Sequence, residues 1–276
     1  MFSISRKLRR EAKTVGFVPT MGALHAGHLA LIKEARAACD VVIVSIFVNP
    51  TQFNDNSDLA KYPRDLTADA AALTEYDVDY VFAPEATEIY PEGFSTYVDV
   101  EGLTRSMEGA SRPGHFRGVA TVVTILFNTI RADRAFFGQK DAQQVAVVKR
   151  LTTDLGFETE IVVVPTVREE DGLAMSSRNT LLSAEERQKA VVLIEALREA
   201  KTAFKKGERN AARLTEIVRN RIEAEPAARL DYVSVVERES LQPLEKLGDD
   251  EALIAAAVYI GDVRLIDNVI LNRKQL

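Results

Sequence analysis

The chain has 276 residues, 46% apolar and 28% charged, with a formal net charge of −6. That length exceeds one typical domain and fits either one large α/β unit or two smaller ones, with enough apolar content for a core. The acidic balance argues against a general nucleic-acid surface, no apolar run reaches the ~18 residues of a membrane span, and a lone cysteine, Cys39, suits a reducing cytoplasm and a small core role.

Residues 5–13 read as a short basic helix without the apolar segment of a secretory signal. Residues 15–19 are a β-prone apolar run. Pro19-Thr20-Met21-Gly22 then turns the chain, and His25 and His28 open an apolar helical pattern at Leu29, Ile32 and Ala35. A strand, a glycine turn and a helix start leave first-turn N–H groups and the positive end of the helix dipole facing outward, which makes an anion site. A spacing of three places both histidines on one helix face. Two ring donors beside unpaired backbone donors suit a polyphosphate; histidines that only cap and pack are the plain alternative.

Residues 41–48 form a continuous β-branched and aromatic run, as in a strand buried on both faces, and Asn49-Pro50 ends it. A helix is expected over 65–76 and a short buried strand over 79–83. A further strand is expected over 97–100, a polar loop over 105–118, and a largely buried helix over 119–130. Residues 135–137 read as a strand ending at Gly138, Asp141 as the cap of a helix running to 155, and 161–164 as a strand closed by Pro165. Alternating strands and helices predict a doubly wound, Rossmann-like parallel α/β sheet, whose ligand crevice lies at the carboxyl ends of the strands. Residues 20–28, 49–52 and 138–144 all follow predicted strands, so all converge on that edge.

Beyond Pro165 the style changes. Residues 167–179 form a polar connection, and a capping-box pattern at Ser183 and Glu186 opens a long helix over 183–207. A helix over 210–224 follows, then strands over 231–237, 252–259 and 264–270, the last two joined at Gly261. The expectation is two domains: residues 1–166, and a smaller C-terminal α+β domain over 167–276.

Within these segments, Asn49 and Gln52 are neutral amides just past a buried strand, able to bind a small polar ligand or simply to line a turn. Arg112-Pro-Gly-His-Phe-Arg-Gly118 reads as a flexible basic loop able to close over an anion, or as a solvent-facing one. Gly138 allows close backbone approach, Lys140 offers a charge for phosphate, and Gln143 or Gln144 can face the same crevice. Ser176, Ser177 and Arg178 form a donor cluster for triphosphate oxygens, with a helix-leading loop as the alternative. These groups stabilise charge spreading on a nucleotide phosphate during in-line substitution.

The P-T-M-G-A-L-H-A-G-H stretch resembles the ATP-binding signature of the nucleotidyl transferase superfamily. The whole chain resembles the pantothenate synthetase (pantoate–β-alanine ligase) family, through S-I-F-V-N-P-T-Q-F, Y-P-R at Tyr62 to Arg64, R-P-G-H-F-R-G-V, F-G-Q-K-D-A-Q-Q and D-G-L-A-M-S-S-R-N. The resemblance implies ATP- and Mg2+-dependent condensation of pantoate with β-alanine through a pantoyl adenylate, in a homodimer whose C-terminal domain acts as a lid. Carried over residue by residue, it implies ATP binding by Met21, Gly22, Ala23, Leu24, His25, Ala26, Gly27 and His28. Gly138, Gln139, Lys140, Asp141, Val167, Met175, Ser176, Ser177 and Arg178 complete that set. His25, His28, Lys140 and Arg178 would act on the phosphates, His28 as proton donor. Gln52 and Gln144 would hold pantoate, with Gln52 also reaching β-alanine and Asn49 and Arg112 alongside, and Asp69 is the candidate for magnesium. Two departures stand out: a short stretch before Thr14, which predicts a reduced first strand and helix, and Ile125 where a lysine often stands. Rival readings are a nucleotidyl transferase acting on a phosphorylated acceptor, and a nucleotide sensor without turnover.

Overall fold

The computed structural model describes residues 1–53, 59–60, 62–248 and 251–272. The chain divides into two compact units, one of Met1–Gln139 with Val147–Pro165, the other of Lys140–Ala146 with Thr166–Leu276.

The first unit is built on five parallel strands: β1 (Val15–Thr20), β2 (Val41–Ile46), β3 (Tyr80–Phe82), β4 (Arg134–Gly138) and β5 (Glu160–Val164). Their order is β3-β2-β1-β4-β5, with β1 paired to β2 on one side and β4 on the other. The chain therefore winds outward from β1 first in one direction and then in the other. The switch point falls between β1 and β4, where a doubly wound sheet opens its crevice.

Helices cover both faces, which is why β1 and β2 are apolar at consecutive positions. On one face α2 (Ala26–Ala38) buries Leu31, Ile32 and Ala35 against Val18, Val42, Val44 and Phe136. On the other, Phe17 meets Phe127 of α6 (His115–Ile130) edge to face, ring centroids 6.4 Å apart. Cys39 belongs to the first core. A Cβ on Gly16 would come within 3.0 Å of its Sγ, and burial pushes the thiol pKa up, so it is an inert packing group.

Four local expectations are corrected. The N-terminal helix, α1, spans Phe2–Arg10 rather than 5–13, its Ser5 hydroxyl donating to Thr129 O at 3.2 Å. β3 is an edge strand, with Val81 41% exposed, not a buried one. Residues 97–100 form no strand, because Val98 N–H donates to Thr121 Oγ1 at 3.0 Å and not to a neighbouring strand. The polar loop expected over 105–118 holds a short helix, α5 (Met107–Ser111), and the first turn of α6, which begins at His115 after left-handed Gly114 (φ 84°). Between β2 and α5 lie α3 (Leu66–Thr74), capped by Asp65, and α4 (Ala86–Ile89). After β4, α7 (Ala142–Asp154) begins directly behind Asp141.

In the second unit, β6 (Ala228–Glu237), β7 (Ala252–Ile260) and β8 (Val263–Leu271) form an antiparallel sheet in that order. Ile254, Ala256, Val258 and Leu265 pack against Leu193, Leu197, Leu214 and Val218 of the covering helices. The long helix expected over 183–207 is two, α8 (Ala184–Lys189) and α9 (Val192–Lys205), followed by α10 (Ala211–Glu223). Ala190 and Val191 stay right-handed, but Leu193 N–H bonds to Ala190 O, so a tightened turn jogs the axis. The Ser183–Glu186 capping box is formed as expected.

Candidate active site

The turn after β1 is held rigid from below. Thr20 Oγ1 donates to Ser45 O at 2.7 Å and accepts from Gly22 N at 3.2 Å. Gly22 sits at φ 81°, and a Cβ there would lie 2.7 Å from Asp69 Oδ2, so both torsion and space call for glycine. Buried Asp69 accepts from Ala23 N at 3.0 Å and Leu24 N at 2.8 Å, one bond to each oxygen. Its carboxylate thus fixes the loop, and the loop's first two amides after Gly22 point into the protein.

The two histidines then close a reciprocal cap. His25 is the N-cap of α2, its Nδ1 accepting from Gly27 N at 3.1 Å, while His28 Nδ1 accepts from His25 N at 3.4 Å. The ring centroids lie 4.1 Å apart. A ring nitrogen that accepts carries no proton, so this geometry assigns the neutral tautomer with the proton on Nε2 to both rings. The plain alternative, capping, is formed, and capping through Nδ1 is what sets the proton on Nε2.

Past β2, Asn49 is 1% exposed and its amide is used inside the protein. Nδ2 donates to Gln52 Oε1 (3.1 Å) and Gly118 O (3.0 Å), while Oδ1 accepts from Thr51 N (3.3 Å), Thr51 Oγ1 (2.9 Å) and Tyr90 OH (2.8 Å). Asn49, expected to meet the substrate, instead positions Gln52. With Oε1 taken, the Gln52 amide also donates one Nε2–H to Met21 Sδ at 2.7 Å, which leaves its second N–H. Arg112 joins the same support: its Nη2 donates to Gln52 O at 3.3 Å, and buried His115 Nδ1 lies 2.8 Å from the same carbonyl. Gly118 permits the approach, since a Cβ there would be 2.5 Å from Thr51 O. Tyr90 was not singled out from sequence; burial pushes its pKa up, outweighing its hydrogen bonds to Thr51 and Asn49, which pull it down. Beyond β4, a Cβ on Gly138 would meet no described atom within 4 Å, so the space there is open.

Gln139 ends this stretch of the first unit, and the remaining site residues belong to the second. Lys140 is half-buried, 3.6 Å from Asp141, and Gln144 lies in the first turn of α7. A tight antiparallel excursion runs from Val167 to Met175, with Met175 N bonded to Val167 O at 3.0 Å and Glu169 N to Leu173 O at 2.9 Å. Arg168 forks onto buried Asp267 at 2.6 and 3.0 Å. Arg187 donates to Glu169 Oε2 at 2.6 Å and Asp171 Oδ2 at 2.8 Å; these bonds lower the Asp171 pKa and raise that of Arg187. Ser176 then caps a short turn, its Oγ accepting from Arg178 N at 3.2 Å, which leaves Ser177 and Arg178 half-buried at its start.

Among the described residues, no group of three His, Cys, Asp or Glu side chains could hold a metal ion. No helix among the described residues is long and apolar enough to cross a membrane.

Comparison with known proteins places this geometry. The sequence profile of a family described as Pantoate-beta-alanine ligase matches residues 1–270. Pantothenate synthetase of Heliobacterium modesticaldum is 56% identical over 272 residues, 99% of this chain and 96% of that protein. The crystal structure of the Thermus thermophilus pantothenate synthetase superposes with a TM-score of 0.92 at 49% identity, covering 97% of this chain and 98% of that one. That of the Francisella tularensis pantoate-beta-alanine ligase, complexed with beta-gamma ATP and beta-alanine, gives 0.78 at 38% identity over 98% and 95%.

Proposed function

The chain belongs to the pantoate-beta-alanine ligase family, and from that premise we propose how its own residues carry out the reaction. It is an AMP-forming acid–amine ligase, condensing (R)-pantoate with β-alanine to pantothenate, with ATP giving AMP and pyrophosphate. A pantoate carboxylate oxygen attacks the α-phosphorus, and the bond to the bridging oxygen breaks as pyrophosphate leaves. The β-alanine amine then attacks the acyl carbon of the pantoyl adenylate, and AMP departs with the acyl C–O bond.

In our reading ATP lies along Met21, Gly22, Ala23, Leu24, His25, Ala26, Gly27 and His28. Gly138, Gln139, Lys140, Asp141, Val167, Met175, Ser176, Ser177 and Arg178 complete its site. As the α–β bond breaks, the Nε2–H groups of His25 and His28 hydrogen-bond the developing charge, and the Lys140 ammonium and the Arg178 guanidinium neutralise it. His28 donates toward the departing oxygen. Gln52, through the Nε2–H not given to Met21, and Gln144 hold pantoate, while Asn49 and Arg112 keep Gln52 in place. Mg2+ enters as part of the nucleotide, on the phosphate oxygens, and no step runs through a protein-bound ion. Residues 1–166 bind ATP and pantoate, residues 167–276 act as the lid that shields the adenylate from water, and the enzyme works as a cytoplasmic homodimer.

The observation that carries this reading is the reciprocal cap that sets Nε2–H on both histidines at the start of α2. The test is exchange of labelled pyrophosphate into ATP with magnesium present and β-alanine absent. Exchange that requires pantoate, and that collapses to AMP and pantothenate once β-alanine is added, is the expected result. ATP binding without exchange would remove pantoate as the acid.

A further inference from the structure

β8 reads V-R-L-I-D-N-V-I-L, an apolar strand interrupted by two adjacent polar residues. Both are buried, Asp267 at 3% and Asn268 at 4% exposed. A carboxylate and an amide in a core are costly unless each has a partner, and each does. Asp267 takes the Arg168 fork and, at Oδ1, the Asn268 N–H at 2.8 Å. Asn268 Nδ2 donates to Lys140 O at 2.9 Å.

The two side chains leave opposite faces of the sheet, as neighbours on a strand must. Asp267 is paired with Ala256, which lies in the helix-side core, and Asn268 with Ala255, outside it. One edge strand thus holds two separate segments of chain, one from each face. On the helix side, Asp267 anchors Arg168, whose Nη1 also donates to Gly172 O at 3.0 Å and so closes the excursion leading to Ser176, Ser177 and Arg178. On the other side, Asn268 fixes the main chain of Lys140, 128 residues away in sequence.

We propose that Asp267 and Asn268 are positioning residues for adenylation: the pair on β8 sets the Lys140 ammonium and the Arg178 stretch relative to each other within the second unit. This rests on the phosphate roles given above to Lys140 and Arg178. The amide-forming half-reaction involves no phosphoryl transfer, so it does not depend on the pair.

The test is Asn268→Ala, alone and combined with Lys140→Ala, assayed separately for pantoate-dependent pyrophosphate exchange and for β-alanine attack on pre-formed pantoyl adenylate. Exchange falls about tenfold, the scale of one lost hydrogen bond, while aminolysis holds its rate. In the Lys140→Ala background the second substitution adds less than about twofold, because both act through one group. If Asn268→Ala does not fold, Asn268→Leu fills the same volume without a donor and serves in its place. Equal losses in both half-reactions, or fully additive losses with Lys140→Ala, would overturn the positioning role. Unchanged exchange in Lys140→Ala alone would instead remove Lys140 from the mechanism, and this inference with it.

Discussion

The two units hold their polar groups in place by opposite means. In the first, the donors are neutral: backbone amides, two imidazoles whose Nδ1 atoms are spent on capping, and a glutamine turned by Asn49. In the second, they are cations, and neighbouring arginines are locked by carboxylates, Arg168 by Asp267 and Arg187 by Glu169 and Asp171. Neutral donors at a helix start need rigid geometry more than charge, because a misaimed dipole loses its effect within an ångström or so. Cations act over longer distances; Arg168 and Arg187 are held by Asp267, Glu169 and Asp171, while Lys140 itself lies 3.6 Å from Asp141.

That contrast can be broken most directly at His28. His28→Ala removes one Nε2–H donor and half of the reciprocal cap, and exchange should fall by about 100- to 1,000-fold, the measured scale for a preorganised donor. Unchanged exchange would leave the histidines as caps alone. Asp69→Asn comes next. If the carboxylate holds the loop, stability should drop by about 2 kcal/mol, as for a lost charge-assisted bond, and the magnesium dependence of exchange should keep its midpoint. A midpoint shifted to higher magnesium would make Asp69 a metal ligand after all.

Tyr90→Phe sharpens the account of Gln52. It deletes one of the bonds to Asn49 Oδ1, so chemical denaturation should show a loss of about 1 kcal/mol. KM for pantoate should rise while KM for ATP stays level. A rise in both would mean that the Asn49 network supports the nucleotide as well. The smallest effect concerns acid. The Arg187 bonds hold the Asp171 pKa below its ordinary 3.8, so their stabilisation is complete above that value and disappears as pH falls through the lower folded one. Asp171 is 41% exposed, which limits the pair to less than about 1 kcal/mol. Arg187→Gln should flatten that part of the acid titration of stability and leave the neutral range nearly as it was.

Much of this arrangement was legible in the residues. Consecutive apolar positions in β1 and β2, against the polar breaks at Asn49 and Gly138, are what a doubly wound sheet must show, and the observed strand order follows. Pro165 closes β5, the last parallel strand. Local patterns failed where a partner distant in sequence decided the outcome. Val98 looked like a strand residue until Thr121 supplied its acceptor. The Arg112–Gly118 stretch looked like a loop because its glycines and arginines are read locally, yet His115 is buried on the carbonyl of Gln52, 63 residues away.

Residue order alone dictates the parallel α/β architecture, the capped helix start with its two histidines, and the set of cationic and amide side chains that a nucleotide would meet. These depend on periodicity and on bonds spanning two to four residues. Which polar groups are spent inside the protein, and which way the others point, was settled by packing in three dimensions. Asn49 and Asp69 turned inward as supports, and Lys140 came to rest with β8. The inward turns and the seat of Lys140 are hydrogen bonds whose second partner the chain brings in by folding back on itself, and no local pattern encodes them.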